Sequence, residues 1–372
     1  MRMSQSFYDK LQVLEPKTES MEPDERLKVL ERPLLSWYQE NARRLPWRDD
    51  PKPYRVWISE IMLQQTRVEA VKPYFERFMK ELPGVHELAK VSEDKLLKLW
   101  EGLGYYSRAK NLKRAAEILV EEYDGFLPPS WEELKKLPGI GSYTAGAIAS
   151  IAFGIPVPAV DGNVLRVISR VMGSREDILK QSVKKQMEVL LMKAMPRDKA
   201  GSYNQGLIEI GALVCVPNGE PLCGQCPLAS LCVARLKGLT GEIPVKTPKK
   251  ARKVEDKTVL VLWKRGCVAI RKREDKGLLA SLYELPNLEG CLDAEAVLSA
   301  VGAEKDGEIA KIEPLPASKH IFSHVEWHMT GFLVELKGEP SGDFLWVTPE
   351  EMKKNYSIPG AFKAYTKLIG GL

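Results

Sequence analysis

LPGIGSYTAGAIASIA, residues 137–152, sets two glycines on either side of an isoleucine directly ahead of a helix-forming run. Gly139 and Gly141 permit positive φ, and the first backbone N–H groups of the helix that follows have no intrahelical acceptor. Together they form a nest for one phosphate oxygen. With SWEELKKL (130–137) leading into it, the stretch is laid out as a helix-hairpin-helix, which grips a nucleic-acid backbone without reading its sequence. The spacing fits equally an ordinary helix-turn-helix contact in which glycines let two helices approach. Tyr143, at the start of that helix, raises a chemical question, because a lysine there would imply one reaction and a tyrosine another.

Outward from this hairpin the pattern is helical almost throughout. Apolar residues recur at three and four in ERLKVLERPLLSWYQEN, in YRVWISEIMLQQTRVEAVKPYFERFMKEL (54–82), in SRAKNLKRAAEILVEEY and in YNQGLIEIGALV, with Pro83-Gly84 and Pro138-Gly139 as punctuation. An all-α domain is expected over 29–235, behind a loose tail at 1–28. Gly238, Gly241, Pro244, Pro248 and the basic run KTPKKARK change the character, so 236–257 reads as a linker, either a solvated tether or a phosphate contact. Beyond it TVLVLWKRGCVAIRKR and HVEWHMTGFLVELKG have strand composition, while DAEAVLSAVGA and TPEEMKKNY read as short helices. A smaller α+β domain is expected over 258–372.

The 372 residues suffice for two domains with their own cores. A balance of 55 Lys and Arg against 50 Asp and Glu, net +5, permits a polyanionic partner without demanding one. No run approaches the roughly 20 apolar residues of a membrane span. A soluble, cytoplasmic protein, monomeric and without a membrane partner, is the expectation.

Four of the six cysteines, Cys215, Cys223, Cys226 and Cys232, lie within 18 residues, while Cys267 and Cys291 stand apart. That crowding is unlike a disulfide framework and points to one metal centre in a reducing compartment. Only the middle pair is closely spaced, whereas a single tetrahedral zinc usually takes two close pairs. This favours a [4Fe-4S] cluster, with zinc as the competitor.

Two carboxylates have unusual surroundings. Glu60, in VWISEIMLQQT, has Val56, Trp57, Leu63 and Gln64 three and four residues away on a helix, so it faces mostly apolar surface. Desolvation there raises a carboxyl pKa and makes a general acid, unless the side chain reaches solvent or an arginine. Asp161, in PVPAVDGNVLRVISRV, sits at a helix start and reads first as an N-cap. Backbone N–H bonds and the helix dipole are expected to keep it ionised and able to stabilise a cation. One neutral acid beside one charged carboxylate is the division of labour that glycosidic bond cleavage uses.

The hairpin, VPAVDGNVLRVISR and the cysteine loop together resemble the helix-hairpin-helix DNA glycosylases of the endonuclease III superfamily. LPWRDDPKPYRVWISEIMLQQTRV, WEGLGYYSRAKNL and the C-terminal FSH narrow the resemblance to the adenine DNA glycosylases of the MutY family, over roughly residues 30–370. One departure is the first cysteine gap, which holds seven residues here where that family usually has six. The resemblance implies a [4Fe-4S] cluster on the four cysteines. It implies double-stranded DNA carrying adenine opposite 8-oxoguanine or G as the partner. It also implies a monofunctional enzyme of base excision repair, since superfamily members that cut the strand carry a lysine at Tyr143. Glu60 then corresponds to the acid that protonates adenine N7, Asp161 to the stabiliser or covalent trap of the oxocarbenium ion, and Asn163 to its hydrogen-bonding assistant. Tyr143 lends its hydroxyl to the charged intermediate. Gln65 and Tyr105 match wedges beside the opposing base, and Thr66 a contact to it.

His320, His324 and His328 are spaced by four. If they share a strand they stand about 13 Å apart at successive positions, too far to hold one ion. Phe322, Ser323 and His324 resemble the family's loop that senses 8-oxoguanine. VAIRKREDKGLLASLYELPNLEG resembles the opening of a Nudix fold, but the following region lacks the Arg-Glu-x-x-Glu cluster that would hold Mg²⁺, so a recognition module is expected. A thymine glycosylase of G·T mismatches and an endonuclease III-like glycosylase/lyase are the alternative activities.

Overall fold

The computed structural model describes residues 21–248, 251–301, 309–338 and 343–371. In chain order the α-helices are α1 (Pro23–Val29), α2 (Glu31–Asn41), α3 (Pro53–Leu63), α4 (Val68–Glu81), α5 (Val85–Lys90), α6 (Glu93–Trp100), α7 (Ser107–Glu122), α8 (Trp131–Leu134), α9 (Ser142–Phe153), α10 (Gly162–Met172), α11 (Gln181–Ala194), α12 (Ala200–Leu213) and α13 (Val233–Leu236). Strands β1 (Lys253–Lys264), β2 (Cys267–Lys272), β3 (Tyr283–Glu284) and β4 (Asn287–Glu289) follow. Then come α14 (Ala294–Ala300), β5 (Ile309–Ile321), β6 (Val325–Leu336), β7 (Leu345–Val347), α15 (Pro349–Asn355) and α16 (Lys363–Ile369). The described residues form two compact units, one within the bounds Met1–Lys90 and Asn111–Pro248, the other within Val91–Lys110 and Lys249–Leu372.

The first unit is helical. Leu27, Leu34, Val164, Ile168, Leu191, Tyr203, Leu207 and Ile210 join α1, α2, α10, α11 and α12 in one core. Each fully buried Leu or Ile there contributes about 1.5–3 kcal/mol relative to exposure. Helix α9 is apolar on every side, with Ala145, Ala147, Ile148 and Ala149 fully buried, as expected of a helix enclosed by others. Gly146 makes that enclosure possible, because a Cβ would lie 2.2 Å from the Pro158 carbonyl oxygen. Gly154 and Gly173 close α9 and α10 in the left-handed conformation.

The second unit holds a seven-stranded mixed sheet ordered β3-β2-β1-β6-β5, with β4 pairing β1 and β7 pairing β2. Only β1 and β6 run parallel, over Lys253↔Val325 to Trp263↔Glu335. Val259, Val261, Val268, Trp327, Phe362 and Tyr365 fill one face, while Leu260, Leu262, Val297 and Val334 fill the other. The sheet is therefore covered on both sides, by α15 and α16 and by α14.

Several expectations change. The tail predicted for 1–28 ends sooner: α1 starts at Pro23, Leu27 is fully buried and Arg26 Nη1 donates to the Leu231 carbonyl at 2.9 Å. Residues 1–20 of that tail lie outside the described residues. The stretch read as a linker is structured at both ends, since Ile243 is buried in the helical core and β1 begins at Lys253. Val91–Lys110, expected within the helical domain, belongs to the second unit. The single periodic run at 54–82 is two helices, broken at Gln64 to Arg67 where Gln65 takes φ +58°.

Candidate active site

Glu60 lies on α3 among Val56, Trp57, Ile61 and Met62, all buried, and is itself 7% exposed. The Tyr143 hydroxyl, in the first turn of α9, donates to Glu60 Oε2 at 2.7 Å. Asp161 caps α10: Oδ1 accepts from the Val164 N–H at 2.8 Å, and Oδ2 accepts from Asn163 Nδ2 at 2.8 Å. The Asp161 charge acts on both Glu60 and Tyr143, which brings the three groups into one electrostatic neighbourhood. Burial pushes the Glu60 pKa up to about 7, the Tyr143 hydrogen bond opposes this, the Asp161 charge adds to it, and Arg48 opposes it. Burial likewise drives the Tyr143 hydroxyl far above its ordinary value, with Glu60 and Asp161 both adding to the shift. The phenol is a donor here and not a base.

Asp161 departs from expectation. An N-cap should hold its pKa low, yet it is raised. Burial outweighs the hydrogen bonds from the Val164 backbone and from the side chain and backbone of Asn163, and the Arg166 charge, because removing a carboxylate from water penalises the ionised form more than these three N–H donors recover.

Asn163 is held in turn. Buried Arg166 donates from Nη2 to Asn163 Oδ1 at 2.8 Å and to the Gly211 carbonyl at 2.8 Å, and from Nε to the Cys215 carbonyl at 2.7 Å. One turn on, Arg170 Nη1 donates to Cys215 Sγ at 3.2 Å, while its Nε and Nη2 reach the carbonyls of Ile243 and Thr240. The sequence reading missed both arginines. Their signal was present: Asn163, Arg166 and Arg170 are spaced three and four apart as a polar stripe along a helix whose other residues are apolar except for Gly162 and Ser169.

Cys215, Cys223, Cys226 and Cys232 line one pocket with Arg170 and Arg235. Burial is the main force raising the pKa of the Cys223, Cys226 and Cys232 thiols, so a cation must compensate before they ionise together. Among the described residues, no three His, Cys, Asp or Glu side chains converge closely enough to hold a single metal ion.

At the hairpin, Gly139 has φ +77°, and a Cβ there would lie 2.8 Å from Asn111 Cβ. Gly141 differs from expectation: it is extended (φ −88°, ψ −179°), has open space beside it, and caps α9 without any side-chain hydrogen bond. The first-turn N–H groups of α9 thus face no capping side chain, and the Ser142 hydroxyl donates to Glu188 at 2.6 Å. Gln65 is exposed in the α3–α4 loop, and Thr66 Oγ1 donates to the Gln64 carbonyl at 3.4 Å.

In the second unit, Phe322, Ser323 and His324 form the turn between β5 and β6, where the Phe322 N–H donates to the Val325 carbonyl at 2.9 Å. The histidines do not share a strand: His320 is on β5, His324 in the turn and His328 on β6. The one-strand spacing argument therefore does not apply to them, because the chain reverses within the run. Tyr105 has φ +47° and its hydroxyl lies 2.9 Å from Ser323 Oγ. Glu284, in the Nudix-like segment, is buried and paired with Arg271 at 2.9 Å and with Arg273.

A carboxyl poised to be protonated near neutrality, a second carboxyl beside it and an open helix N-terminus on a glycine hairpin suit removal of a base from a nucleic-acid backbone. The comparisons define that class. The family described as HhH-GPD superfamily base excision DNA repair protein matches residues 58–193, and the NUDIX domain family matches 258–368. A thermostable thymine-DNA glycosylase structure is similar over 57% of this chain and 97% of that one (29% identity, TM-score 0.52). A non-covalent endonuclease III–DNA complex is similar over 59% and 99% (27% identity, TM-score 0.51). The adenine DNA glycosylase of Buchnera aphidicola subsp. Schizaphis graminum is 35% identical over 304 residues, covering 82% of this chain and 86% of that protein. The chain belongs to the adenine DNA glycosylase family.

Proposed function

We propose that this protein is a monofunctional adenine DNA glycosylase of base excision repair, removing adenine opposite 8-oxoguanine, or G, from duplex DNA. The observation that carries the reading is the Glu60–Tyr143–Asp161 arrangement. Glu60, with a pKa near 7, is protonated in about half of the molecules at neutral pH, where an ordinary carboxyl is almost wholly ionised, and delivers its proton to N7 of an extruded adenine. The bond between the sugar C1′ and N9 breaks with its electron pair moving to the base. Asp161, ionised, stabilises or traps the oxocarbenium ion until water adds at C1′. Its raised pKa falls once a positive sugar faces it, so its charge strengthens when the transition state requires it. Asn163 holds the Asp161 carboxylate in register through the 2.8 Å bond. Tyr143 has no amine with which to form a Schiff base, so an abasic site is the product.

Cys215, Cys223, Cys226 and Cys232 would hold a [4Fe-4S] cluster. An all-thiol donor set lining one pocket, with only Cys223 and Cys226 closely spaced in the chain, fits a polynuclear group better than zinc, which usually takes two close pairs. When bound, the cluster supplies cationic iron to thiols that burial would otherwise keep neutral, and so fixes the loop that receives Arg166 and Arg170.

Gly139, Gly141 and the α9 N-terminus would hold a phosphate, with Gln65, Thr66 and Tyr105 acting at the opposing base. Phe322, Ser323 and His324 would test for 8-oxoguanine. The second unit then serves recognition and not nucleotide hydrolysis. The thymine-directed reading is favoured by the resemblance to a thymine-DNA glycosylase, but that resemblance spans 57% of the chain, whereas the adenine-directed relative spans 82%. Duplexes carrying A opposite 8-oxoguanine, G, C or T, and G opposite T, decide the matter by released base and by nicking with and without alkali. Free adenine, with nicks only after alkali, is expected. Release of thymine, or strand breaks without alkali, would overturn the reading.

A further inference from the structure

In the loop between α6 and α7, Gly102, Gly104 and Tyr105 take φ of +98°, +70° and +47°. Two are glycines and pay little for it. Tyr105 is a bulky residue in a conformation that L side chains avoid by about 1–2 kcal/mol, and such strain persists only where the surroundings hold it. The residue is 45% exposed, so burial of its side chain is not what holds it.

The surroundings that do are centred on Arg108, the second residue of α7, which is 8% exposed. Its Nη2 donates to the carbonyls of Leu103 at 3.1 Å and Gly104 at 3.0 Å, and its Nε donates to the carbonyl of Tyr105 at 3.4 Å. One planar fork thus collects three successive carbonyls, including those on both sides of the strained φ. The guanidinium also lies 5.3 Å from the Trp100 ring centroid and 5.7 Å from that of Tyr105. Trp100 Nε1 adds a bond to the Gly104 carbonyl at 3.2 Å. At the outer end, the Tyr105 hydroxyl meets Ser323.

We propose that Arg108 is the positioning residue that fixes Tyr105 in its strained, outward-facing conformation and so sets where the ring and its hydroxyl stand when DNA is bound. The proposal rests on the reading of Tyr105 as a wedge. Arg108 touches no substrate. A lysine offers a point charge and not a fork, so it can hold one of the three carbonyls but not all of them.

The test is a double-mutant cycle in the full-length, cofactor-loaded protein, read as single-turnover adenine excision from an A·8-oxoguanine duplex, with thermal melting as a fold control. Arg108→Met and Tyr105→Ala should each slow excision by about tenfold, and the double variant should be no slower than Tyr105→Ala alone. Arg108→Lys should recover only part of the loss, and it replaces Arg108→Met in the cycle if the latter does not fold. Losses that multiply in the double variant, or wild-type rates in both Arg108 variants, overturn the proposal while leaving the wedge intact. A wild-type rate in Tyr105→Ala removes the wedge and the proposal with it.

Discussion

The Glu60–Tyr143–Asp161 pocket and the Phe322–Ser323–His324 turn handle polar groups in opposite ways. In the pocket, carboxyls are taken out of water, and each has its pKa raised by burial before any partner acts on it. At the turn, Ser323 and His324 are exposed, Ser323 meeting only the exposed Tyr105 hydroxyl among the described side chains, while Phe322 packs against Trp327 at 4.9 Å and His320 at 4.6 Å between ring centroids. The difference separates reactivity from recognition. Desolvation changes what a group does chemically, and it is permanent. A solvated hydrogen-bonding group discriminates only when a partner buries it, because the penalty of a stranded donor arises at that moment.

The largest expected effect tests the buried side. Glu60→Gln keeps the shape and removes the proton, and should lower single-turnover excision by about a thousandfold or more. The same substitution should raise stability, in a pH-dependent manner. A carboxyl raised from 4.5 to about 7 binds a proton more tightly folded than unfolded. Its contribution to stability is complete below the unfolded value and is lost as pH rises through 7, where the buried ion opposes folding by roughly 3 kcal/mol at most. Urea melts should therefore show Glu60→Gln gaining on the wild type at pH 8 and not at pH 5. An equal difference at both pH values would mean that Glu60 is not desolvated as described.

Asp161→Asn comes next, with a loss of about a hundredfold or more. The pH profile separates the two acids. The wild-type rate should fall on the alkaline side near pH 7 as Glu60 loses its proton, and on the acid side as Asp161 gains one. Asp161→Asn should abolish the acid limb and leave the alkaline one. Persistence of both limbs would assign them to other groups.

How far this was legible depends on how local each feature is. The glycine hairpin, the N-cap at Asp161 and the apolar flank of Glu60 are written in neighbouring residues, and the structure contains all three. The interruption at Gln64 to Arg67 was not legible, because Gln-Gln-Thr contains neither Gly nor Pro, and a helical period continues across it. Strand β5 was missed for the converse reason: Pro314 and Pro316 interrupt its pattern, which is tolerated only because β5 is the outer strand of the sheet. The sign of the Asp161 shift depends on burial by distant elements. Nor does local sequence reveal that Val91–Lys110 folds with the C-terminal sheet, which brings Tyr105 to Ser323 across 218 positions.

A moderate effect distinguishes the two hairpin glycines. Gly139→Ala places a Cβ at φ +77° and 2.8 Å from Asn111 Cβ, and should cost about 1–3 kcal/mol in stability, with weaker duplex binding. Gly141→Ala meets open space on extended backbone and should change stability by less than about 1 kcal/mol. Denaturant melts and binding to an uncleavable duplex check both. Equal damage from the two substitutions would mean that the loop needs flexibility at both positions and not one specific left-handed residue.

The smallest effect tests the exposed side. Ser323→Ala removes one hydroxyl that is solvated in the free protein and lies 2.9 Å from the Tyr105 hydroxyl. One neutral hydrogen bond is worth about 0.5–1.5 kcal/mol, so preference for A·8-oxoguanine over A·G should fall by about threefold to tenfold. Excision of adenine opposite G should be nearly unchanged, since guanine lacks the N7 hydrogen that the hydroxyl would accept. Competition between the two duplexes in one reaction measures that ratio directly. If both substrates slow equally, Ser323 acts by steadying Tyr105 and not by reading the opposing base, and the separation of reactivity from recognition would have to be drawn elsewhere in the turn.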